Sequence, residues 1–190
     1  MTLNDTSSLK SHLATRRSGR PRDLVEPGPS EEELAEILRL AARTPDHGKL
    51  VPYRFVVVGK EARDALAALY EQALRRDGAH EAKIAKSVAN AHAAPTLVIL
   101  ISSPVRDHKI PVFEQELTCG AAGMNLLHAA HAHGYVGGWI TGWPAYDLAI
   151  TDAFCNEGER IAGLIYLGTS ACELEERERP DMGGIVSRWG

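Results

Sequence analysis

The chain has 190 residues, 44% of them apolar by type and 24% charged, which describes one soluble globular domain with room for a single sizeable core. Lys plus Arg number 21 against 25 Asp plus Glu, a net charge of −4. A broadly basic nucleic-acid or anionic-membrane binder is therefore excluded, and any anion site must be local.

The three cysteines, Cys119, Cys155 and Cys172, lack zinc-like spacing and are odd in number, which argues for a reducing compartment. The opening residues lack the apolar core of a signal peptide, and no run approaches the ~18 apolar residues of a membrane span. A cytoplasmic protein is expected, with no nucleic-acid or membrane partner.

In chain order, residues 1–8 are polar and expected to be frayed or disordered, with a single domain over 9–190. Leu9 to Arg17 predicts a short helix stopped at Ser18-Gly19, and GRPRDLVEPGPS predicts a loop. Ser30 with Glu33 forms a capping-box pattern, and Leu34, Ile37, Leu38 and Ala41 mark one buried helical face that should end near Arg43-Thr44, before Pro45. The runs Arg54 to Gly59, Thr96 to Ser102 and Ile161 to Gly168 read as strands covered on both faces. Between the first two, Glu61 to Arg76 reads as a helix and His80 to His92 as a weaker one.

Glu114 to His133 predicts a long helix with little polar face, either central to the domain or packed against another chain. Tyr135 to Thr141 predicts a strand and Tyr146 to Phe154 a short helix, while the tail from Ser170 to Gly190 is charged and then extended. The irregular alternation of helices and strands indicates an α+β fold.

Three segments could carry chemistry. Positions 16 to 22, RRSGRPR, place four arginines in seven residues of an acidic protein, and guanidinium forks beside a hydroxyl suit a phosphate. Capping of a helix end by solvated arginines is the alternative. Arg43 and His47 follow the capped helix on a loop, where they could bind an anion or simply offset the helix dipole. Gly134 to Gly142 combines four glycines with Trp139; it could let backbone approach a flat ligand, or be a bulged strand with a buried tryptophan.

Neither a GxGxxG fingerprint nor a P-loop is present. His128 and His131 share a helical face near Glu114 and Glu116, but without HExxH no metal site is expected. Cys119, on an apolar helix, reads as a core residue rather than a nucleophile.

RRS at 16–18, RTPDHGKLVPYRFVVV at 43–58, HKIPVFEQELTCGAAGMNLLHAAHAHGYVGGWITG at 108–142 and IAGLIYLGT at 161–169, in that order, resemble the nitroreductase family, in particular its small bacterial NAD(P)H nitroreductases. The resemblance implies an FMN-dependent α+β fold with a central, mainly antiparallel sheet flanked by helices, working as a homodimer with flavin in the interface. It further implies that Arg16, Arg17 and Ser18 hold the FMN phosphate and the polar edge of the ring. Arg43 and His47 would reach flavin bound mainly by the other subunit, and Trp139, Ile140 and Thr141 would line it. Where relatives read GIWRS this chain reads GGWIT, so Ile140 replaces an arginine. The helix end Ala129 to Gly134 is associated in relatives with nicotinamide binding.

The function implied is hydride transfer from NAD(P)H through flavin to a nitroaromatic, quinone or activated-alkene acceptor, with the chemistry carried by the flavin rather than by a catalytic side chain. The alternative is a flavin-binding sensor or carrier without significant turnover.

Overall fold

The computed structural model describes residues 2–190, and in it α1 (Leu9–Thr15), β1 (Leu24–Val25), α2 (Glu31–Ala41), β2 (Tyr53–Val58), α3 (Arg63–Arg76) and α4 (Glu81–Ala91) form the first half. The second half contains β3 (Thr96–Ser102), α5 (Val112–Ala132), β4 (Val136–Ile140), α6 (Leu148–Phe154), β5 (Arg160–Ser170) and a terminal turn, α7 (Met182–Ile185). The strand order is β1–β5–β3–β2, with β4 also paired to β5. Every pairing is antiparallel, as expected for the fold class.

β3 is buried along its whole length, which explains its unbroken apolar run: helices cover both faces. One face carries Leu97, Ile99, Leu164 and Tyr166 beneath α3, α4 and α6, with Leu66 and Tyr70 of α3 packed in the same cluster. The other carries Val98, Leu100, Ile165 and Leu167 beneath α2 and α5, with Leu126 and Leu127 of α5 packed in the same cluster.

Element ends differ from the sequence expectation where tertiary contacts intervene. Helix α1 stops at Thr15 because Arg16 turns out of the helix at ψ 126°. Asn4 then clasps that exit, accepting from the Arg17 amide at 2.7 Å and donating to the Arg17 carbonyl at 3.0 Å. Ser30 and Glu33 form the capping box in full.

The expected loop over 19–30 contains a 3₁₀ turn (Pro21–Asp23) and then β1, whose two residues pair with Thr169 and Ser170 of β5. Among the described residues no helix is long and apolar enough to cross a membrane. Phe113 and Leu117 on α5 and Leu9 and Leu13 on α1 remain exposed, an apolar surface this chain does not cover itself.

Candidate flavin site

Two of the three candidate segments meet. The chain leaving α1 runs beside β4, where the Gly19 amide donates to the Gly137 carbonyl at 3.1 Å. A Cβ on Gly138 would lie 2.5 Å from the Gly19 carbonyl oxygen, so only glycine permits this approach. The Arg16–Ser18 segment is thereby fixed next to the strand that leads to Ile140 and Thr141.

Alternation along β4 divides its side chains. Gly137 and Trp139 face α5: a Cβ on Gly123 would meet the Trp139 ring at 2.6 Å, so the missing side chain makes room for the indole. The β3–β5 register shifts between Leu100 and Ile101, and the Ala162 carbonyl there accepts from Trp139 Nε1 at 3.2 Å. β4 itself pairs in regular register. Gly138 and Ile140 point to the opposite face, where Ile140 and Thr141 line a cavity of about 270 Å³. Trp143 and Tyr166 give that cavity aromatic walls, and Lys83, Lys86 and Asn90 of α4 line its other side.

The arginine segment is not simply solvated. The C-terminal tail folds back over it: Arg17 Nε donates to the Glu175 carbonyl at 2.7 Å, and Arg179 donates to the Arg16 carbonyl at 3.2 Å. Arg16 has its pKa lowered by partial burial and by the like charges of Arg179 and Arg17, with Glu176 opposing. Three guanidiniums thus gather around one carboxylate, which is already bound to Arg179 at 2.8 Å. A cleft of mixed charge opens beside them, lined by Arg17, Ser18 and Arg20 and by the carboxylates of Asp23, Glu173 and Glu175, the last 3.8 Å from Arg20.

Among the described residues Arg43 and His47 form no hydrogen bond with these segments. The Arg43 carbonyl accepts from Asn125 at 3.0 Å, and His47 Nδ1 meets Glu114 Oε2 at 2.7 Å. Both side chains are exposed. Gly48 adopts φ +81°, and a Cβ there would strike Ile110, which fixes the turn that presents His47.

Cys119 is buried and its thiol is pushed up to about 11 by desolvation, so it is no thiolate at neutral pH. Among the described residues no group of three or more His, Cys, Asp or Glu is disposed to hold a metal ion.

A family model described as the nitroreductase family matches residues 13–169. The chain belongs to the nitroreductase family. It is 35% identical over 158 residues to YdjA of Escherichia coli (strain K12), which carries the name NAD(P)H nitroreductase; the match covers 83% of this chain and 85% of that one. The nitroreductase-like protein of Bacillus cereus superposes with a TM-score of 0.82 at 19% identity, covering 96% of both chains. A nitroreductase from Exiguobacterium sibiricum 255-15, solved in complex with FMN, gives 0.72 at 18% identity over 96% of this chain and 98% of that one.

Sequence reasoning missed Arg179 and the α4 residues. Arg179 lies in a tail without periodicity, and Lys83, Lys86 and Asn90 fall in the weaker helix expected over His80 to His92, where no motif marks them. Only the fold brings them to the arginine segment and to β4.

Proposed function

We propose that the protein is a homodimeric FMN-dependent oxidoreductase that oxidises NAD(P)H and reduces a small nitroaromatic, quinone or activated-alkene acceptor by a ping-pong mechanism. The observation that carries the reading is the gathering of Arg16 and Arg17, on a segment locked by glycine contact to β4, with Arg179 from the folded-back tail. The residues fit a phosphorylated flavin. Around Arg16 two further guanidiniums oppose a single carboxylate, and a phosphate offers several acceptor oxygens and close to two negative charges. The glycine-opened backbone and the cavity at Ile140 and Thr141 suit a flat ring.

When bound, FMN supplies the redox chemistry, accepting a hydride equivalent and passing electrons on. The chain's own residues bind, orient and shield. Arg16 and Arg17 anchor the phosphate, joined by Arg179. Ser18 serves the polar edge of the ring, while Ile140, Thr141 and the Trp139 backbone line it. Arg43 and His47 of each protomer reach the flavin held mainly by the other, consistent with their exposure. The uncovered Leu9, Leu13, Phe113 and Leu117 supply apolar surface for the dimer.

Sedimentation of the FMN-loaded protein tests the shared site. A dimer is expected; a monomer with full flavin occupancy would contradict the placement of Arg43 and His47.

A further inference from the structure

Three imidazoles meet where α1 packs on α5. His12 Nε2 and His128 Nδ1 lie 2.7 Å apart, and the His12 ring stands edge-on to His128 and His131, with centroids 4.9 and 5.2 Å away. His12 Nδ1 and both nitrogens of His131 are buried without a hydrogen-bond partner among the described residues. Three histidines in a helix–helix seam that aliphatic side chains could fill demand a reason, and the site above uses none of them.

The surroundings decide what the cluster tolerates. From α1 the nearby charge is Arg16, and from the end of α2 Arg43 lines the pocket of about 440 Å³ that opens beside His12 and His128. From α5 the neighbouring polar group is Asn125. His133, two residues beyond His131, turns to Glu36 at 3.9 Å. No carboxylate is paired with His12, His128 or His131 among the described residues. A charged imidazole carries two donors and requires acceptors, and among the described residues the nearby polar groups Thr6, Ser8 and Asn125 are hydrogen-bonded to none of the three rings. The His12–His128 contact needs one donor and one acceptor, so charging both rings sets donor against donor.

We propose that His12, His128 and His131 form a proton-sensitive latch that, when neutral, holds α1 and the following Arg16 in place on α5, and on acidification lets α1 detach and loosens the phosphate site. All three rings have lowered pKa values, His12 and His128 through desolvation first and His131 down to about 3 through desolvation first. Arg16 adds Coulombic repulsion at each. The latch rests on the reading of Arg16 as a phosphate anchor for its effect on flavin, but not for its effect on α1.

The test has two arms on the full-length protein. In the first, the affinity for FMN is measured at pH 7.5 and pH 5.5 for the wild type, His131→Leu and His12→Leu/His128→Leu. The FMN phosphate itself loses charge near pH 6, a loss common to all three proteins. The wild type is expected to weaken about tenfold more than either variant over this range. An equal pH response in all three, or tighter wild-type binding at pH 5.5, overturns the latch.

In the second arm, amide hydrogen exchange of residues 9–15 in the wild type is followed over the same range without flavin. Faster exchange at pH 5.5 than the intrinsic pH dependence allows, with α3 unchanged, is expected; protection that persists overturns the proposal even if the variants fail to fold. Stoichiometric zinc bound at pH 7.5 and lost in His12→Leu/His128→Leu would also overturn it, because the cluster would then be a metal site. A protein that takes up no FMN but still loosens α1 in acid would remove the flavin reading and leave the latch.

Discussion

Two arginine centres in this protein have opposite charge economies. Arg54 on β2 grips Glu159, with Nε 2.9 Å from Oε1, and also donates to the Phe154 carbonyl. The carboxylate additionally accepts from Ser103 and from the Asn156 amide, and these bonds, led by Arg54, hold its pKa at about 2. At Arg16 three guanidiniums meet one acid, and repulsion joins burial in disfavouring the charge. The first centre is complete within the fold. On the proposed reading, the second is completed by the FMN phosphate. Substitution should therefore damage stability at one and ligand binding at the other.

The largest effect is expected from Arg54→Ala, which strands a buried carboxylate and should lower unfolding free energy by about 3 kcal/mol in urea denaturation. Its folded fraction should still bind FMN normally; a selective loss of flavin would blur the distinction.

Acid separates structural contributions in a second way. His131 has a folded pKa near 3 against 6.5 for the free group, so its burial stabilises fully above pH 6.5 and that stability is lost as pH falls below it. About 2 kcal/mol should be gone by pH 5. Glu159, depressed from 4.5 to about 2, contributes stability that is lost only below pH 4.5. Unfolding measured from pH 7 to pH 3 should thus decline in two windows, and His131→Leu should flatten the upper one alone.

Arg16→Ala should weaken FMN binding by about 2 kcal/mol, roughly thirtyfold, with little change in unfolding free energy, on the scale of a lost charge-assisted hydrogen bond. Fluorescence titration of the apoprotein reads it directly, and unchanged affinity would remove Arg16 from the site. Arg179→Ala should cost less, about 1 kcal/mol of FMN affinity, because that side chain is partly engaged with Glu176.

What could be read in advance followed the range of the forces involved. The Ser30–Glu33 cap and the apolar face of α2 are local, and they are fully expressed. The β2, β3 and β5 runs declared themselves by unbroken apolar character, but their antiparallel order came only from the family resemblance. β1 was invisible because two residues carry no period and find partners in β5 far along the chain. The Arg16–Ser18 cluster stood out by charge, whereas Arg179 joined it only through the folded-back tail. Trp139 was expected among the flavin-lining residues; its indole is seated on Gly123 and bonded to Ala162, which leaves Ile140 and Thr141 to face the cavity. His12 could not be linked to His128 across 116 positions without knowing that α1 packs on α5.

The most direct test of the central claim is the visible absorption spectrum of the purified protein after incubation with FMN and then with NAD(P)H. A bound-flavin spectrum that bleaches with NAD(P)H and returns on adding a quinone or nitroaromatic is the predicted result. A protein that stays colourless after incubation with FMN would contradict the account.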